Sequence, residues 1–82
     1  MEPGKCYFVK GPRNDYVGRV VKVGPFQVEL TQCSWIANSG RLGVFVATGH
    51  GGSNMEVEYL GDFTVRYDDF GPWNPPLFKE SI

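Results

Sequence analysis

The sequence predicts a mainly β domain: a small, SH3-like, partly open antiparallel barrel of about five strands with one short helix. Glycine and proline punctuate the chain every 8–12 residues or so, the rhythm of short antiparallel strands. The runs between them alternate apolar and polar residues or are rich in valine. One segment, around residues 39–49, carries helical spacing instead. A twisted antiparallel sheet with a helix on one face is the alternative arrangement of the same elements.

Each element follows from its residues. Lys5-Cys-Tyr-Phe-Val-Lys10 reads as a first strand, and Gly11-Pro12-Arg13-Asn14-Asp15 as a turn. Tyr16-Val-Gly-Arg-Val-Val-Lys-Val23 is a second strand, in which Gly18 marks a bend or a bulge. Gly24-Pro25 is a hairpin link. In the third strand, Phe26 to Leu30, the residues Phe26, Val28 and Leu30 point one way and Gln27 and Glu29 the other. Ser39 is placed to cap a helix with the stripe Leu42, Phe45 and Val46, and Gly49 to end it at C′. Gly43, Val44, Val46 and Thr48 are mediocre helix formers, which weakens that segment. Glu56 to Leu60 and Phe63 to Tyr67 read as two more strands joined by Gly61-Asp62. The tail, Asp68-Asp-Phe-Gly-Pro-Trp-Asn-Pro-Pro-Leu-Phe78, has three prolines and cannot be a regular helix. The expected organisation is therefore a barrel over residues 1–69 and an extended Pro/aromatic arm over residues 70–82.

Composition narrows the function. With 82 residues the chain forms one domain with a thin core, and self-association would supplement it. Cys6 and Cys33 are too few for a zinc site with His50 as the only histidine, so two buried free thiols are expected, with no metal and no cofactor. Met1 is followed at once by Glu2-Pro3-Gly4 rather than by a basic and then apolar run, and no apolar stretch approaches a bilayer span. The expectation is a soluble cytosolic protein with no membrane partner. A net charge of −1 argues against general nucleic-acid binding. It leaves room for a small anionic ligand held by one or two arginines.

Catalytic raw material is poor. Cys33 with His50 has no supporting spacing, and Asp68-Asp69 reads as a solvated turn. The residues that suit recognition cluster after the third strand: Trp35, Asn38, Ser39, Gly40 and Arg41, together with His50, Ser53 and Asn54 of the glycine-rich loop. Trp35 has an aromatic face to stack on a base, Arg41 a guanidinium for a phosphate, and the others hydrogen-bonding groups. Against this stand plainer readings: Trp35 as core, Arg41 as a surface charge, and Gly49-His-Gly-Gly-Ser53 as a disordered connector rather than a phosphate cradle. No Gly-Lys-Ser/Thr follows the loop, which excludes a nucleoside-triphosphate loop.

The run from Val20 to Leu42, with Trp35-Ile-Ala-Asn-Ser-Gly-Arg41 at its centre, then Ala47-Thr-Gly49 and Glu56-Val-Glu58, resembles a pattern in small bacteriophage-encoded proteins. In these, Trp-Ile-Ala-(Asp/Asn)-(Thr/Ser)-Gly-Arg precedes a short helix and Glu-Val-Glu opens the next strand. The resemblance covers residues 20–60 and implies origin more than activity; the glycine-rich loop and the Pro-Trp-Asn-Pro-Pro tail lie outside it. Tiny cytosolic phage proteins of this type are often counter-defence factors, some of them homo-oligomers that sequester a nucleotide immune signal without chemistry. By that resemblance of type, the expected function is non-enzymatic sequestration of a small anionic ligand, such as a cyclic or ADP-ribose-type nucleotide, in the host bacterial cytosol. The alternative is a protein–protein module that inhibits or scaffolds a host or phage protein through its aromatic tail.

Overall fold

A computed structural model describes residues 1–82. The chain is mainly β, with strands β1 (Cys6–Lys10), β2 (Asp15–Val23), β3 (Gln27–Ala37), β4 (Glu56–Arg66) and β5 (Asp69–Pro72), and one helix, α1 (Leu42–Thr48). The five strands form one antiparallel sheet in the order β4-β3-β2-β1-β5.

That order forces the sheet to curl. Strands β4 and β5 occupy opposite edges, which in a flat sheet would lie about 19 Å apart, at about 4.8 Å per strand. The chain leaves β4 at Arg66 and enters β5 at Asp69. Three residue steps reach at most about 11 Å. The two edges are therefore drawn together at the Tyr67-Asp68 corner, where the Asp68 N–H donates to the Lys10 carbonyl at 2.8 Å. The result is a small, partly open, SH3-like barrel.

Each face of the sheet carries a buried cluster. Val9, Val20, Val28, Leu30, Cys33 and Val65 fill one side. Phe8, Val17, Ile36 and Val57 face the other way and are covered by Phe45 of α1, Met55 and Trp73, with Leu77 and Phe78 packed alongside. Phe8 and Val17 are cross-strand partners, as are Ile36 and Val57, so register alone assigns each pair to a common face.

Several elements differ from the sequence reading. The third strand runs to Ala37 rather than ending at Leu30. Phe26 belongs to the turn before it and is 72% exposed, so it does not share the buried face of Val28 and Leu30. Gly61-Asp62 is not a hairpin: both flanking runs pair with β3 and form the single strand β4, bulged where Gly61 (φ 76) lies opposite the Gln32–Cys33 step, with Gln32 itself at φ 50. Gly18 does mark a bulge in β2, where a Cβ would meet the Leu30 Cβ at 3.2 Å and the Cys33 Cα at 3.3 Å.

The tail packs on the chain's own barrel. Residues 69–72 pair with β1, Trp73 is 4% exposed, and its ring centroid is 4.9 Å from that of Phe45. Pro72 is tolerated because β5 is an edge strand. Further on, the Ile82 N–H donates to the Val57 carbonyl at 2.8 Å, and the Tyr59 N–H donates to Ser81 Oγ at 3.0 Å. No helix is long and apolar enough to cross a membrane.

Candidate functional site

Two left-handed residues, Asn38 (φ 56) and Gly40 (φ 73), turn the chain out of β3 and into α1. Asparagine and glycine are the residue types that adopt this conformation at low cost. The helix starts from Arg41 in extended conformation, with no side-chain cap, so Ser39 does not cap it. At the other end Gly49 (φ 76) closes the helix as expected, its N–H donating to the Phe45 carbonyl at 2.7 Å. The position is tight as well, since a Cβ would sit 3.0 Å from Pro75 of the tail.

The loop after the helix is ordered by local hydrogen bonds. The His50 N–H donates to Thr48 Oγ1 at 3.2 Å, the Gly51 N–H to Met55 Sδ at 3.2 Å and the Gly52 N–H to His50 Nδ1 at 2.9 Å. The Met55 N–H donates to the Gly52 carbonyl at 3.3 Å. The amides of His50, Gly51 and Gly52 are thus engaged within the loop. With Nδ1 accepting, the neutral His50 ring carries its proton on Nε2.

The nominated residues fall into three places. Ser39, Arg41 and His50 line one open cleft of about 510 Å³, together with Val44, Thr48, Gly51 and Gly52. Asn38, Gly40, Ser53 and Asn54 line a second, of about 500 Å³, which shares Gly51 and Gly52 with the first. Trp35 is in neither. It sits in β3 between Tyr16 of β2 and Glu58 of β4, half-buried, and lines a smaller cleft with Asn14, Tyr16, Glu58 and Leu60. Its Nε1 is buried and has no hydrogen-bond partner. The expected alliance of Trp35 with Arg41 is therefore not formed: a strand side chain and a loop side chain six positions on are carried to separate clefts.

In the first cleft Arg41 is the one lining residue of fixed charge, and no carboxylate lines it. The chain's single ion pair joins Lys5 to Glu2 at 2.7 Å, so the Arg41 guanidinium has no acidic partner. The side chain missed by sequence reading is Thr48, whose Oγ1–H donates to the Val44 carbonyl at 2.7 Å. Its i, i+4 spacing from Val44, at the end of a helix leading into the glycine-rich loop, was the available signal.

The thiol chemistry considered from sequence has no geometry. Cys33 is fully buried in the barrel core, and burial pushes its thiol up to about 12. His50 is exposed on the loop. Both cysteines are free; Cys6 is half-buried rather than buried.

No protein-family model matches the sequence, and neither a curated protein nor a solved structure matches it.

Proposed function

We propose that the chain is a non-enzymatic, phage-encoded binding protein that sequesters a small anionic, nucleotide-derived ligand, as a homo-oligomer in the host cytosol. The observation that supports this reading is the cleft of about 510 Å³ in which an uncompensated Arg41 shares the lining with the polar side chains of Ser39, Thr48 and His50 and with no carboxylate. The Arg41 guanidinium, the Ser39 hydroxyl and the His50 imidazole N–H are donors to phosphate oxygens, whereas the Thr48 hydroxyl is held by the Val44 carbonyl. Asn38, Ser53 and Asn54, across Gly51-Gly52, extend the donor set toward a ligand larger than one phosphate. The neighbouring Val44, half-exposed on α1, offers an apolar surface for a ring. The resemblance of the Trp35–Arg41 run to phage proteins supports a phage origin, and the likeness in type to small phage counter-defence proteins suggests a host immune signal as the ligand.

The competing reading, a module that captures a protein through its aromatic tail, needs the tail aromatics on the surface. Trp73 is instead buried against Phe45 and Phe78 packs on the same cluster, which leaves Phe70, 44% exposed, as the one tail aromatic open to a partner. That favours the ligand-binding reading.

Thermal unfolding against a panel of cyclic dinucleotides, ADP-ribose derivatives and mononucleotides tests the proposal. A ligand at 100 times its Kd adds about 2.7 kcal/mol, which in a domain of this size raises Tm by roughly 10–20 °C. Arg41→Ala should abolish the shift without lowering the Tm of the free protein. No shift with any nucleotide sinks the proposal, and a monomer at micromolar concentration by light scattering removes its oligomeric part.

A further inference from the structure

The pairing of aromatic ring and guanidinium that Trp35 and Arg41 do not make is made elsewhere. Between the β1–β2 turn and β4 lies a cleft of about 270 Å³ whose lining includes Arg13, Asn14, Tyr16, Phe63 and Arg66. The fold builds it from residues far apart in sequence. The Gly11 N–H donates to the Asn14 carbonyl at 2.9 Å, closing a tight turn that projects Arg13. The turn is seated on the end of β4: a Cβ on Gly11 would lie 3.1 Å from the Arg66 carbonyl and 2.9 Å from that of Asn14. Close backbone approach at a glycine thus brings Arg13 and Arg66 to one cleft. Within it Tyr16 and Phe63 stack, with ring centroids 6.0 Å apart and planes 29° apart. Phe63 remains 42% exposed.

Three properties of this cleft are unpaired. Arg13 and Arg66 are among its lining residues, no carboxylate lines it, and neither arginine has an acidic partner. A stacked aromatic pair leaves apolar ring surface in water. The Asn14 amide has only a contact at the limit of hydrogen bonding, 3.5 Å, from its Nδ2 to the Tyr16 hydroxyl. The complement of such a surface is a planar ring with an attached dianion and a polar edge.

We propose that this cleft binds a nucleoside monophosphate or the equivalent moiety of a larger nucleotide. The base lies on the exposed face of the Phe63–Tyr16 stack, as bases lie on aromatic platforms elsewhere. The phosphate is held by Arg13 and Arg66 through charge-assisted hydrogen bonds. Asn14 reads the edge of the base. The site is independent of the Arg41 cleft and does not rest on its assignment.

Titration of the isotope-labelled full chain with AMP, CMP, adenosine and inorganic phosphate, followed by amide NMR, tests the proposal. The expected result is saturable shifts at residues 11–16 and 63–66, with either mononucleotide bound more tightly than adenosine or phosphate. Arg13→Ala and Arg66→Ala, both exposed and free of structural partners, should each weaken AMP by about ten-fold or more. Phe63→Leu, which keeps apolar bulk without a ring, should weaken AMP but leave phosphate unchanged. Arg41→Ala should leave all of these shifts intact, which separates this site from the other cleft. The proposal is overturned by absence of saturable shifts at millimolar ligand, by shifts confined to residues 38–54, or by equal binding of adenosine and AMP that the two arginine variants do not alter.

Discussion

The Gly51 backbone rests directly on the Ser39 backbone: a Cβ built on Gly51 would overlap the Ser39 carbonyl oxygen and carbon. The neighbouring Gly40 is also tight, its Cβ position falling 2.8 Å from the Gly51 carbonyl oxygen. The segments leaving β3 and leaving α1 therefore cross at backbone contact, and the crossing holds Arg41 and His50 on one cleft. Gly51→Ala cannot be absorbed by side-chain movement, since the obstacle is main chain. Its expected cost is about 1–3 kcal/mol, in the range of overpacked sites. Chemical denaturation measures it. The same variant should lose the ligand-induced thermal shift even where it remains folded, because Arg41 and His50 are displaced from each other.

Gly43 is the opposite case. It lies inside α1, and a Cβ there meets nothing within 4 Å. Glycine in a helix interior is about 0.8–1.0 kcal/mol less favourable than alanine. Gly43→Ala should therefore stabilise the domain by up to about 1 kcal/mol, seen as a higher denaturation midpoint at unchanged slope. An unchanged or lower midpoint would mean that α1 is not helical at this position.

The contrast between these two glycines shows what the sequence made legible. Local chemistry was readable: Gly49 ends α1 and Gly24-Pro25 turns the hairpin, because each depends on its immediate neighbours. Gly61-Asp62 misled because a glycine and an aspartate between two alternating runs signal a hairpin, and nothing local reveals that both runs pair with β3. The strand at Asp69–Pro72 was hidden by its proline, which only an edge position permits. Site residues obeyed the same division. Ser39, Arg41 and His50 share a cleft through the Ser39–Gly51 crossing, a contact that loop composition suggests but does not determine. Arg13 and Arg66 line one cleft because of the Tyr67-Asp68 corner, which is a property of strand order and invisible to periodicity.

Phe45 links the helix to both the sheet and the tail. It is fully buried, with ring centroids 5.9 Å from Phe8 and 4.9 Å from Trp73. Replacing a buried phenylalanine by alanine costs about 3–5 kcal/mol. An 82-residue domain with two small core clusters has little more than that to lose. Phe45→Ala should therefore be largely unfolded at 37 °C by circular dichroism, and Phe45→Leu should restore a cooperative transition at a lower Tm. A folded Phe45→Ala variant would show that α1 and the tail dock independently of this ring.

Asp15 sets one acid-range response. It opens β2, and burial raises its carboxyl above the usual value, with Lys10 acting in the opposite direction. An acid whose value is raised on folding binds its proton more tightly in the folded state. Its contribution to stability is therefore greatest below the unfolded value and is lost as pH rises through the folded one. At neutral pH the ionised carboxylate is a cost that an uncharged isostere would not incur. Asp15→Asn should accordingly stabilise the domain at pH 7, and the difference between variant and parent should shrink as pH falls through the ordinary range of an aspartate near 4. Paired urea titrations at pH 7, 5 and 3 measure this. A variant less stable than the parent at pH 7 would mean that the carboxylate is held by a favourable interaction stronger than its burial.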